Sequence, residues 1–350
     1  MVNHSVLELC AGGGGQALGL ELAGFDHAGA VEYEAAFCET LRANRPNWNV
    51  LNCDIRDLRA KDFFGVDVVA AGVPCPPFSV AGKQLGPQDE RDMFPTALRI
   101  VSVIRPRAVL FENVPGLATQ RFADYRQGIF RKLDSLGYVP FSTVLQSVDF
   151  GVPQLRPRFV IVALRPDDAP YFRMPVRGGT QQTVGQTLFD LMAQGGWQGV
   201  AKWAKRANGI APTIVGGSKK HGGPDLGPTR ARQKWAELGV DGIGIADEPP
   251  GPDFPLDALP KLTVRMVARV QGFPDSWQFA GRKTIAYRQV GNAFPPPVAR
   301  ALGSALMKVL SREKSGYQEF SEKPSEGQML LLEPRGKYKS KKRKHHAAST

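Results

Sequence analysis

Short apolar runs alternate with stretches of helical periodicity through the first half of the chain, and each run closes on glycine, proline or an acid. Val6-Leu7-Glu8-Leu9 leads into Cys10-Ala11-Gly12-Gly13-Gly14-Gly15, a second run ends at Ala30-Val31-Glu32, and a third at Asn52-Cys53-Asp54-Ile55. Val66 to Ala71, Ala108 to Phe111 and Phe159 to Leu164 continue the series. Between and after them, apolar positions recur at helical spacing over residues 16–23, 34–44, 92–104, 125–136, 263–270 and 297–310. Alternating β and α segments with β-branched, continuously apolar strands predict an α/β fold built on a doubly wound, mostly parallel sheet. In such sheets ligands lie beyond the carboxyl ends of the strands, so the residues that follow each run are the candidates for chemistry.

The first of those ends is a glycine turn before a helix, a shape that lets backbone amides and the positive helix end approach a ligand. Its spacing is not GxGxxG, and no GK[ST] follows, so the common pyrophosphate and triphosphate fingerprints are missing. Glu32 and Asp54 close the next two strands, and an acid there suits a ribose diol, so the three ends together describe a nucleoside-type cofactor pocket. The fourth run opens into Gly72-Val73-Pro74-Cys75-Pro76-Pro77-Phe78-Ser79. A lone cysteine is ordinarily a small buried hydrophobe. Three prolines in four positions change that reading, because they fix φ and remove backbone donors, which aims a nucleophile more than it serves packing. Glu112 closes the fifth run as Cys75 follows the fourth; if those strands are neighbours, thiol and carboxyl face one cleft. Arg156 and Arg158 enter the sixth at i and i+2, which predicts a cationic clamp on one face. Residues 80–91 read as a loop over the site.

Charge sharpens the picture. The net charge of +12 is uneven: residues 335–344 hold seven Lys/Arg and no acid, and residues 175–240 hold nine Lys/Arg against Asp190, Asp225 and Glu237, so the remainder stands at −1. Two basic regions on a neutral body suggest a polyanionic partner, most simply nucleic acid. With 350 residues and 42% hydrophobic positions the chain can bury a large core. No apolar run reaches about 18 residues and no leader-like segment opens the chain, which predicts a cytoplasmic protein without a membrane span. Cys10, Cys38, Cys53 and Cys75 show no paired CxxC spacing, against both a disulfide framework and a metal site.

In this order the blocks resemble the cytosine-C5 DNA methyltransferase family: the AGGGG loop, Glu32, Asp54-Ile55, PCPPFS, Arg91-Asp92-Met93-Phe94, Glu112-Asn113-Val114, QLRPR, Leu262-Thr263-Val264-Arg265, Gln271-Gly272-Phe273-Pro274 and Gln289-Val290-Gly291-Asn292. Two positions depart from the family pattern, Cys10 in place of Phe and Met266 in place of an acid. The resemblance implies a Rossmann-like methyltransferase domain that uses S-adenosylmethionine and releases S-adenosylhomocysteine. A second, smaller and irregular domain would read the target. The expected boundaries are 1–174 and 261–311 for the catalytic domain, 175–260 for target recognition, and 312–350 for a polar, basic, disordered tail.

By resemblance, the Cys75 thiolate adds to cytosine C6, Glu112 acts as an acid at N3, and Arg156 and Arg158 hold the O2 edge, Glu112 and a phosphate. A cytosine stacked in a duplex is out of reach, so flipping is implied. The expected cofactor residues are Cys10, Ala11, Gly12, Gly14, Gly15, Glu32, Tyr33, Asp54, Ile55, Gly72, Pro74, Met93 and Asn292. For double-stranded DNA the candidates are Ser79, Lys83, Gln84, Arg91, Lys219, Lys220, Arg230 and Arg232, in a protein acting as a monomer, without metal, and associated with the nucleoid through DNA. A restriction-modification role is the expected setting. A transfer RNA cytosine methyltransferase and a noncatalytic DNA-binding regulator on the same fold are the alternatives, the first disfavoured by the long basic middle segment.

Overall fold

The computed structural model describes residues 4–74, 92–217 and 224–312. Its first half runs β1 (Ser5–Leu9), α1 (Gly15–Leu22), β2 (Asp26–Glu32), α2 (Ala35–Asn44), β3 (Val50–Asn52), β4 (Val68–Gly72), α3 (Phe94–Ile104), β5 (Ala108–Asn113) and α4 (Ala123–Ser135). Then follow β6 (Val139–Gln146), the two-residue β7 (Gln154–Leu155), β8 (Pro157–Leu164), α5 (Val184–Ala193), α6 (Val200–Arg206), β9 (Ala211–Pro212) and α7 (Thr229–Glu237). Three helices finish the described chain: α8 (Val264–Val270), α9 (Lys283–Asn292) and α10 (Pro296–Leu310). The expected basic tail lies beyond the described residues.

The main sheet has the order β3-β2-β1-β4-β5-β8-β6. β1 to β5 are parallel, while β8 lies antiparallel between β5 and β6. The chain winds outward from β1 through β2 to β3, then resumes on the other side with β4 and β5. The winding therefore reverses between β1 and β4, the place where an open sheet leaves a crevice at its carboxyl edge. Glu112 is in register with Gly72, so the two strands that the sequence left only conditionally adjacent are neighbours.

Why these strands sit in the middle follows from their side chains. Leu7, Leu9, Val69, Ala71, Val109 and Phe111 face one layer, with residues of α3 and α4, while Val6, Val68, Ala70, Ala108 and Leu110 face the other, with α10. Both faces are buried, and each large side chain taken from water stabilises the fold by about 1.5–3 kcal/mol. α1 joins this second layer through Gly19. A Cβ there would stand 2.4 Å from Ala299 Cβ and 2.5 Å from the Pro296 carbonyl oxygen, so the approach of α1 to α10 admits no side chain.

Between β8 and α8, the tryptophans Trp197, Trp203 and Trp235 are buried with Met266, Val267 and Trp277 of the later segments, so this basic stretch has an apolar core of its own making and shares it with α8 and α9. Trp203 Nε1 donates to the Gly239 carbonyl at 3.0 Å. β9 pairs in parallel with β7, Gln154 opposite Ala211, and ties the stretch to the entry of β8. Sequence periodicity overlooked β6, β7, β9, α5, α6 and α9. β6 carries Pro140 and is exposed at both ends, which an edge strand tolerates and a central one does not.

Candidate active site

The β1 turn is shaped from both sides. Cys10 has φ 55, Gly12 φ 58 and Gly14 φ 85, so three of five residues adopt the left-handed region. Gly12 N–H donates to Glu32 Oε2 at 2.7 Å, and the other carboxylate oxygen accepts from Glu34 N–H at 2.8 Å. Trp277 Nε1, far along the chain, donates to the Gly13 carbonyl at 3.1 Å. Burial pushes the Glu32 carboxyl pKa up while those amides pull it down. The Cys10 thiol is likewise raised by burial and then by Glu32, which makes it an inert packing thiol. Asn52 Nδ2 fixes the β2 end by donating to the Glu32 and Tyr33 carbonyls. Asp54 is held by Arg56 at 2.6 Å, which depresses its pKa, and Ile55 is buried beside it, whereas the Tyr33 ring lies 66% exposed. A turn of left-handed residues and two acids at successive strand ends form a cradle that fits a nucleoside.

Across the crevice, Glu112 is buried, and its Oε1 stands 2.8 Å from Arg158 Nε. This is a charge contact off the N–H line, so Oε1 receives no directed hydrogen bond among the described residues. Burial raises the Glu112 pKa, and Arg158 and then Arg156 draw it back. The result is a buried carboxyl whose pKa stays above its ordinary value although a cation stands beside it. Asn113, to which the motif alone assigned no task, donates from Nδ2 to the Val73 carbonyl at 3.2 Å and so fixes the chain two residues before position 75. Cys75, Ser79, Lys83, Gln84 and Arg91, together with Lys219 and Lys220, lie outside the described residues. Met93 caps α3 and packs on the sheet core.

The two arginines of QLRPR do different work. The expected shared face requires a continuous strand, but Arg156 stands between β7 and β8, and its carbonyl is held by Ser147 Oγ at 2.7 Å. Its side chain is fully buried and donates to the Ile214 carbonyl at 2.6 Å and to the Gly291 and Ala293 carbonyls at 2.9 Å each. Gln154 joins it, accepting from Ile214 N–H at 2.8 Å and donating to Gln271 Oε1 at 2.6 Å. Arg158 faces Glu112; Arg156 ties β8 to the segments at 214 and 291–293. Asn292, the last residue of α9, is exposed and donates to the Gly217 carbonyl at 3.4 Å.

The α7 arginines also separate. Arg232 Nη1 pairs with Asp225 Oδ2 at 2.9 Å, and Asp225 Oδ1 accepts from Gly244 N–H, so this guanidinium fastens a turn. Arg206 donates to the Ala236 and Glu237 carbonyls and closes the carboxyl end of α7. Arg230, Gln233 and Lys234 face solvent, one helical turn apart.

A family model for C-5 cytosine-specific DNA methylases matches residues 4–308. The chain belongs to this family of DNA methyltransferases. It is 55% identical over 320 residues to the type II methyltransferase M.NaeI of Lentzea aerocolonigenes, covering 90% of this chain and 78% of that protein. Against M.NgoMIV of Neisseria gonorrhoeae the identity is 47% over 311 residues, 88% and 98% of the two chains. Among solved structures, Entamoeba histolytica methyltransferase EhMeth superposes with a TM-score of 0.65 at 14% identity, over 89% of this chain and all of that one, a likeness of fold. In this methylase the described residues contain no helix long and apolar enough to cross a membrane and no group of three or more His, Cys, Asp or Glu placed for a metal.

At Met266, where the family often has an acid, the thioether takes over a capping role. Thr263 N–H lies 3.4 Å from Met266 Sδ while Met266 N–H donates to Thr263 Oγ1 at 3.2 Å. The start of α8 is thus closed on both sides without a carboxylate.

Proposed function

We propose that this methylase transfers a methyl group to C5 of a cytosine flipped out of a specific duplex DNA site, as the modification enzyme of a type II restriction-modification system. The observation that carries the mechanism is Glu112: a buried carboxyl with one oxygen that receives no directed hydrogen bond among the described residues, paired to Arg158, on the strand next to the one that leads to Cys75. Cys75 as thiolate adds to C6, and Glu112 gives its proton to N3, so the ring charge is neutralised and C5 gains enamine character. After methyl transfer the C5 proton is lost to water, the Cys75 sulfur departs as thiolate and the N3 proton returns to Glu112, which restores the neutral aromatic ring and the acid. Arg158 positions Glu112, and Arg156 holds the frame in which Arg158 stands.

S-adenosylmethionine, when bound, supplies the electrophilic methyl. The β1 turn, Glu32 and Asp54 fit its nucleoside, the first by backbone amides and the acids by hydroxyl contacts. Tyr33, Ile55, Gly72, Pro74, Met93 and Asn292 border the same crevice in this proposal. Residues 175–260 would read the target, with the solvent face of α7 as the DNA-facing element and Arg230 as its base reader. The names of the M.NaeI and M.NgoMIV relatives support the restriction-modification setting. Incubation with methyl-labelled S-adenosylmethionine and either duplex DNA or transfer RNA, followed by bisulfite sequencing of the DNA, tests the reading. Label in one cytosine of a fixed DNA sequence is expected; label in transfer RNA, or in neither, overturns it.

A further inference from the structure

Gln16, the second residue of α1, is 4% exposed, yet neither its Oε1 nor its Nε2 meets a hydrogen-bonding partner among the described residues. Burying an unpaired carboxamide is costly, and an apolar side chain of similar size would serve packing better. The direction of the side chain indicates its use. A Cβ added to Gly72 would stand 3.5 Å from the Cys10 carbonyl oxygen, 3.9 Å from Glu112 Oε2 and 4.0 Å from Gln16 Oε1. Gln16 thus reaches the gap at the carboxyl ends of β1 and β4 that Glu112 borders from β5.

The sheet order gives that gap its chemistry. Glu32 ends β2 and Asp54 follows β3 on one side of β1, and Glu112 lies on β5 on the other. A nucleoside held by the two acids and a cytosine held by Glu112 leave the gap between them to the amino-acid end of the cofactor. That end is a zwitterion, with an ammonium that donates and a carboxylate that accepts. One carboxamide supplies both an acceptor and a donor.

We propose that Gln16 positions and selects the amino-acid end of S-adenosylmethionine, Oε1 accepting from its ammonium and Nε2 donating to its carboxylate. The proposal rests on the reading of this chain as an S-adenosylmethionine-dependent methylase. Its test compares two ligands by calorimetry on the full chain: S-adenosylhomocysteine, and 5′-deoxy-5′-methylthioadenosine, which keeps the nucleoside and thioether but lacks the amino-acid end. Gln16→Leu is expected to weaken S-adenosylhomocysteine roughly ten- to a hundredfold and to leave methylthioadenosine unchanged. The ligand-free variant should melt no lower than the parent, since an unpaired buried carboxamide has been removed. Gln16→Met, with a straight stem like that of glutamine, repeats the measurement should leucine disturb the fold. Equal losses for both ligands, or none for either, overturn the assignment. A parent protein that binds neither ligand overturns the functional reading, and the Gln16 role with it.

Discussion

Arg158→Met removes the cation beside Glu112 while keeping an apolar stem of similar length. At the observed 2.8 Å, and with an effective dielectric near 20, the pair attracts by about 6 kcal/mol before desolvation. Removing one partner of a buried pair is therefore expected to cost about 3–5 kcal/mol at most. The cost depends on pH, and its sign follows from Glu112. Burial raises that carboxyl above its ordinary 4.5 and Arg158 draws it back, so without Arg158 it rises further. A group with a raised folded pKa stabilises fully below the unfolded value and loses that contribution as pH rises through the folded one. In acid, Glu112 is protonated in both folded proteins and the electrostatic part of the difference is small. As pH climbs past the parent's Glu112 pKa, the parent ionises against Arg158 while the variant retains its proton. The gap then widens by about 1.4 kcal/mol per pH unit until the variant's own pKa is reached. Guanidinium unfolding of the parent, Arg158→Met, Glu112→Gln and the double variant, at acid, neutral and mildly alkaline pH, measures both the gap and the coupling. A gap that is flat with pH or larger in acid, or a coupling near zero, would refute the pairing.

Arg156→Met strips the buried Ile214 and Gly291 carbonyls of their side-chain donor and leaves Ala293 to Gln271 Nε2 alone; it is expected to destabilise by about 3–5 kcal/mol, with lysine recovering part, and a loss under about 1 kcal/mol in the same unfolding assay contradicts the tie. Glu8 is a buried carboxyl on β1 that burial raises well above 4.5, with one oxygen unpaired among the described residues. By the same sign rule Glu8→Gln should stabilise increasingly as pH rises from acid to alkaline, and thermal melts in which the benefit shrinks with pH would count against it. On α7, Arg230→Ala should cost roughly 1–3 kcal/mol of target discrimination at one base pair. Arg232→Ala, whose partner is Asp225, should cost about 0.5–1 kcal/mol of stability and leave the target sequence alone. Methylation of a randomised-site DNA library by both variants separates the two, and an altered target with Arg232→Ala alone would reverse the assignment.

The strands were legible where local chemistry dictates them: continuous apolar runs closed by Gly72 or Glu112 have few other uses. Glu32 and Asp54 were legible as strand-end acids for the same reason. What local pattern could not carry is neighbourhood. The insertion of β8 between β5 and β6 is decided by packing over long separations, and an edge strand with Pro140 shows no clean alternation. Arg156 and Arg158 illustrate the limit at side-chain scale. Spacing of i and i+2 sets a common face only in an unbroken strand, and the break before Pro157 sends Arg156 to carbonyls 58 and more residues away. Arg232 looked free in sequence because Asp225, its partner, lies seven residues back across a turn. Gln16 gave no signal at all, since a glutamine near a helix start is ordinarily a surface residue, and only its burial without partners marks it.

The central claim is that Cys75 attacks the cytosine over which Glu112 presides. Duplex DNA carrying 5-fluorocytosine at the methylated position blocks the last step, because fluorine at C5 cannot leave as a proton does, so the protein-DNA adduct persists. Digestion with trypsin and mass mapping then locates it. The adduct is expected on the peptide Asp62–Lys83, whose single cysteine is Cys75, and to vanish in Cys75→Ser. An adduct on Cys10, Cys38 or Cys53, or methylation that proceeds without trapping, would contradict the account.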